Sequence, residues 1–215
     1  MFFCYSVYIF AHTFQNWNLA TTLDVARAYS SGIVHTNGEL WISGGASIDK
    51  ILDSIEIIKL LDDEQWKVRR GPKLKRSLIG HCFASLSNHE IIVAGGYSPD
   101  LDDFSDEVAI YDMKSSIWIS KPWMALKNYG PRMDATCFNF LIGSQQSVFM
   151  VGGWNNSFMN TSEYFDRSTL AWKLLEESKN LNESDNIIFP NGIRSAAVVE
   201  VNNKFHILGG VQCYR

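Results

Sequence analysis

Arginine recurs at one place in a repeating pattern, and that spacing raises the first chemical question. Arg27, Arg76, Arg132 and Arg194 each stand shortly before an apolar run. Ser77 and Ser195 directly follow two of them, and Tyr97 and Trp154 directly follow two di-glycines. A guanidinium can present two parallel N–H groups to a carboxylate, and a rigid aromatic supplies contact area at a binding surface. The chemistry these residues point to is recognition of a carboxylate-bearing segment, not bond breaking. A second role is equally open to each arginine, that of bonding backbone carbonyls or bracing neighbouring units.

The groups that catalysis needs are not gathered in the sequence. The five histidines (His12, His35, His81, His89, His206) are scattered singly, with no H-x-H or H-x-x-x-H pair and no C-x-x-C. A metal centre of converging imidazoles or thiolates is therefore not expected. His81 and His206 fall on apolar runs and are expected to be satisfied core histidines. Neither a G-x-S-x-G turn nor a G-x-x-x-x-G-K phosphate loop occurs. No catalytic residue, metal ligand or cofactor is assigned.

The elements that must hold the arginines are legible as a repeat, which has to be sought before local structure. Four apolar runs end in a di-glycine: LWISGG at Gly45, IIVAGG at Gly96, VFMVGG at Gly153 and FHILGG at Gly210. Their spacings are 51, 57 and 57 residues. A polar residue stands seven positions before each first glycine, at Asn37, Asn88, Gln145 and Asn202. Asn37-Gly38 has the residue types of a tight hairpin with both central residues at φ > 0. Each unit thus opens with two apolar strands joined by a turn, and the glycines permit a sharp bend and close packing. A second strand pair follows, marked by an aromatic seven residues before a tryptophan: Phe10 and Trp17, Tyr111 and Trp118, Phe165 and Trp172. The remaining unit has Trp66 but Lys59 at the aromatic position.

This order of arginine, strand, turn, strand, Gly-Gly, loop, aromatic and tryptophan resembles the kelch repeat and covers nearly the whole chain. The resemblance implies an all-β fold, a β-propeller of four-stranded antiparallel blades around a central channel. Complete blades are expected over 24–70, 73–121 and 130–176, with half blades at 1–22 and 193–211. The halves either pair to close a small ring, or the chain is a fragment of a larger, about six-bladed propeller. In kelch proteins that bind peptides, residues leading into each blade and aromatics after the di-glycine line the binding face. Those roles fall here on Arg76, Ser77, Tyr97, Arg132, Trp154, Arg194 and Ser195. The resemblance implies a protein–protein interaction module that takes a partner peptide or loop, an acidic segment among the candidates. In the kelch-like family such modules serve as substrate receptors of ubiquitin ligases. The rival class is a kelch-type sugar isomerase or oxidase acting in the channel mouth.

Bulk properties narrow the partners. Net charge is -4 and the pI is about 5.7, which argues against nucleic acid, where clustered basic charge is expected. No apolar stretch reaches the ~20 residues of a membrane span. Cys4, Cys82, Cys137 and Cys213 lie far apart and are expected as buried thiols of a cytoplasmic protein. N-x-S sequons at Asn155, Asn160 and Asn182 are expected by chance in polar loops. The acidic run Asp100, Asp102, Asp103, Asp106 and Glu107 reads as a solvated loop, or as charge neutralised by the nearby arginines.

Overall fold

Residues 8–13, 16–61, 65–142, 145–174, 192–201 and 204–212 are described by a computed structural model. Short apolar strands separated by turns pair antiparallel throughout. β1 (Tyr8–Thr13) and β2 (Asn16–Thr22) form a hairpin. β3 (Ser31–Val34), β4 (Leu40–Ser43), β5 (Ile55–Leu60) and β6 (Trp66–Arg70) pair in that order as a first four-stranded sheet.

β7 (Cys82–Ser87) and β8 (Glu90–Ala94) open the second sheet. A small ribbon, β9 (Tyr97–Ser98) with β10 (Asp103–Phe104), precedes its outer strands β11 (Val108–Asp112) and β12 (Ile117–Ile119). The third sheet is β13 (Thr136–Ile142), β14 (Gln145–Val151), β15 (Ser162–Asp166) and β16 (Ala171–Leu174). Two ribbons end the described chain: β17 (Ile193–Arg194) with β20 (Val211–Gln212), and β18 (Ala197–Val201) with β19 (Lys204–Leu208). Each expected complete unit holds one four-stranded sheet. The hairpins β1–β2 and β18–β19 are separate sheets, so among the described residues the two halves do not join.

The first strands of successive units lie side by side, β3 by β7, β7 by β13 and β13 by β18. The core sits between sheets. Trp41 and Ile57 meet Phe83, Ile91, Val93 and Tyr111; Ala84, Ile92 and Ile110 meet Val148, Met150 and Phe165; Phe138 and Phe149 meet Val198, Phe205 and Ile207. Strands such as β8 are apolar on successive residues because neighbours cover both faces. On β19 that cover is one-sided: Phe205 and Ile207 are half-buried, while His206 and Leu208 are exposed. His206 is therefore not the core histidine the sequence suggested, whereas His81 is buried.

Hairpin register departs from expectation at β1–β2, and it is offset in the Trp66 unit, as Lys59 at the aromatic position implies. Tyr111 stands opposite Trp118 and Phe165 opposite Trp172, as the seven-residue spacing requires. A bulge between Ile9 and Phe10 sets Phe10 opposite Leu19 and Trp17 opposite His12. Trp66 pairs with Leu60, and Val68 pairs with Ile58. Ile58 is the counterpart of Tyr111, because Ile58 pairs with Leu40 and Tyr111 with Ile91, each four residues before a di-glycine. At Asn37-Gly38 only the glycine takes positive φ, +79°. The Gly38 N–H donates to His35 O at 2.9 Å, so this is an ordinary turn followed by one left-handed glycine.

The cysteines also depart from expectation. Cys82 and Cys137 form a disulfide between the first strands of the second and third sheets, with Cα atoms 5.6 Å apart. Ser31, Cys82 and Thr136 occupy one register position, each paired with the residue before a di-glycine. Ser31 Oγ donates to His81 O, and Thr136 Oγ1 donates to Ala196 O at 2.9 Å. The same seam position is thus tied by a hydroxyl in two units and by sulfur in one. Cys4 and Cys213 lie outside the described residues.

Candidate binding site

At the di-glycine end of the sheets, the segment leading into each unit meets the residue after Gly-Gly. Isolated bridges pair Ala28 with Ala46, Ile79 with Tyr97 and Met133 with Trp154, and β17–β20 pairs Arg194 with Val211. These pairs place Arg27, Leu78, Arg132 and Ile193 in one register. Arg194 falls one residue later and Arg76 two residues earlier. The four arginines are not equivalent.

Arg27 and Arg132 are structural. Arg132 is 1% exposed, and its guanidinium donates to Glu163, to Gly152 O at 3.3 Å and to Thr161 Oγ1 at 3.3 Å. Burial pushes the Glu163 carboxyl up against the pull of Arg132, and burial likewise lowers the Arg132 guanidinium. Arg27 repeats the arrangement with Glu56, Gly44 O and Ser54 O. Arg132 is therefore removed from the binding set: its side chain is buried, with Nη1 and Nη2 bonded inside the protein and Nε left without a hydrogen-bond partner.

Arg76 is half-buried and donates through Nε to Glu107 at 2.9 Å. Burial opposes ionisation of Glu107, but Arg76 and Lys75 outweigh it and hold the carboxyl low. Ser77 N–H donates to Asp100 at 3.3 Å, and Tyr97 O–H donates to Asp102 at 3.0 Å. Within the acidic run Glu107 is neutralised by Lys75 and Arg76, whereas Asp100 and Asp102 accept bonds from neutral donors and keep their charge. Tyr97 packs edge-on against Phe104, with ring centres 6.2 Å apart.

Arg194 is different. Its guanidinium lies 5.0 Å from the Trp154 ring centre and 5.4 Å from that of Phe158, which meets Trp154 edge-on. Its carboxylate partner, Asp134, stands 3.8 Å away, while about a third of the arginine side chain is exposed. Burial raises the Asp134 carboxyl above its usual range, and Arg194 offsets this only in part. A half-buried carboxyl facing a loosely held arginine makes this pair the candidate binding site.

Asp134 belongs to a pattern that sequence reading missed. Tyr29, Gly80, Asp134 and Ser195 share one register and one left-handed backbone, with φ of 55°, 60°, 56° and 54°. Gly80 N–H donates to Tyr29 O, Asp134 N–H to Gly80 O and Ser195 N–H to Asp134 O, at 3.1, 2.7 and 2.8 Å. Left-handed backbone at a non-glycine residue costs about 1 kcal/mol or more and persists where its surroundings hold it. The result is a row of side chains, with Tyr29 and Ser195 exposed and Asp134 between them. Gly80 was the one sequence signal, since glycine is the residue that takes this conformation freely.

The structure therefore gathers Trp154, Arg194 and Ser195 of the expected set around Asp134, and sets Arg76, Ser77 and Tyr97 around the acidic ribbon of the second sheet. Among the described residues no three His, Cys, Asp or Glu side chains are placed to hold a metal ion, and no helix is long and apolar enough to cross a membrane. Set against protein-family profiles and against curated proteins, the chain matches none.

Proposed function

We propose that the sheets are blades of a kelch-type β-propeller and that the chain is a protein-interaction module binding a partner peptide or loop at the di-glycine end. The observation that supports this is Arg194. It is held by two aromatic faces, has a distant partner in Asp134, and keeps part of its side chain in solvent. A carboxylate on an incoming segment can take the place of Asp134 and gain bidentate geometry that Asp134 does not provide. Trp154 and Phe158 then supply the apolar contact, and exposed Tyr29 and Ser195 flank it.

The kelch-like resemblance adds substrate recognition for a ubiquitin ligase, a cytoplasmic setting in which Cys82 and Cys137 would be thiols. Peptide binding itself does not depend on that setting. The test is selection of a phage-displayed peptide library on the folded chain. Acidic sequences should be enriched, and Arg194→Glu should abolish their binding while keeping a cooperative thermal melt, lowered by the carboxylate placed beside Asp134. Absence of enrichment, or equal binding by Arg194→Glu, rejects the reading.

A further inference from the structure

Two features outside the binding argument agree on where this chain matures. One is the Cys82–Cys137 disulfide, which joins two sheets through residues packed in their shared apolar core. Cytosolic thiols are kept reduced by glutathione and thioredoxin, so a structural disulfide marks an oxidising compartment. The other is the sequon Asn160-Thr161-Ser162 on the loop between Gly153 and β15. A glycan is bulky and must stay at the surface, and Asn160 is exposed. Ser162 is buried in β15, but attachment to the unfolded chain requires only that the folded protein leave the asparagine outside. Asn155 fits less well: its side chain is half-buried and its N–H donates to Ser157 O at 3.1 Å. Asn182 lies outside the described residues.

We propose that Asn160 is an N-glycosylation site and that the chain matures in the oxidising compartment where Cys82 and Cys137 are joined. The step that joins them loses two thiol protons and two electrons to a disulfide-class oxidant, which leaves as a dithiol. This proposal is independent of the peptide-binding reading and excludes the cytoplasmic ubiquitin-ligase setting.

The sequence offers one digest that reads both features. Trypsin cleavage after Arg76, Lys114, Arg132 and Arg167 yields peptide 77–114, holding Cys82, and peptide 133–167, holding Cys137, Asn155 and Asn160. Protein from its own cells, digested without reductant, should give the two peptides as one cross-linked species with a glycan at Asn160. Enzymatic deglycosylation should convert Asn160, and not Asn155, to aspartate. Asn160→Gln should lose the glycan mass and Asn155→Gln should keep it. Alkylatable Cys82 and Cys137, an unmodified Asn160, or a glycan on Asn155 alone would each overturn the proposal.

Discussion

Leu78 occupies, in the second sheet, the place that Arg132 occupies in the third. Each precedes by one residue the position bridged to the aromatic after the di-glycine, Ile79 to Tyr97 and Met133 to Trp154. Its partner follows suit, because Ala109 opposite Val93 stands where Glu163 stands opposite Met150. The ion pair reappears as Arg76 with Glu107, two residues earlier in both segments and partly exposed.

The protein thus contains its own control for a buried ion pair. Removing one charge leaves the other buried and unpaired, at a cost of about 3–5 kcal/mol, whereas replacing both by apolar groups is often nearly neutral. Arg132→Leu is expected to lower stability by that amount. Adding Glu163→Ala should recover most of it, since Asn128 keeps its bond to Trp172 O at 3.0 Å. Urea denaturation of the two single variants and the double variant measures the coupling.

His81 makes stability depend on pH. Its Nε2 lies 2.7 Å from Ser43 Oγ, its Nδ1 has no hydrogen-bond partner, and burial lowers its pKa from 6.5 to about 4. The unfolded chain therefore takes up this proton first as pH falls. Stability from neutral His81 is complete above about pH 6.5 and is lost progressively down to about pH 4, some 3 kcal/mol in all. Asp134 and Glu163, raised by burial, work in the opposite sense. The check is the difference between the wild type and His81→Gln in urea melts at pH 7 and pH 4.5. The wild type should lose more on acidification, and equal losses would show that His81 is not the titrating group.

Gly152 and Gly209 test why the first glycine of each pair is required. Both are left-handed, with φ of +64° and +69°. A Cβ on Gly152 would lie 2.1 Å from Ile193 O, whereas one on Gly209 would meet nothing within 4 Å. Gly209→Ala should cost only the backbone strain, about 1 kcal/mol. Gly152→Ala must also push two sheets apart, and should lower the melting temperature several times as far.

How much of this was visible in the sequence follows from the range of each interaction. The strand pairs and di-glycine bends were legible because short apolar runs and φ > 0 are local features of the chain. Trp66 falls near its turn instead of opposite Ile58, which is why no aromatic stands seven residues before it. The four arginines looked alike because spacing along the chain does not reveal strand register, and a two-residue slide keeps a side chain on the same face. The tie between Cys82 and Cys137 depends on sheets packed face to face, and 55 residues separate its ends. The row from Tyr29 to Ser195 is made by backbone groups, which side-chain identity scarcely reports.

The disulfide also decides how the molecule would respond to being pulled from its ends. A strand pulled from its sheet extends by about 3.3–3.6 Å per residue, so the segment between Cys82 and Cys137 could lengthen by roughly 190 Å if cut loose. Bridged, it contributes only the 5.6 Å between their Cα atoms. Tension would draw out the first sheet, the third sheet and the final ribbons while bypassing the second sheet, which becomes a slack loop that carries no load.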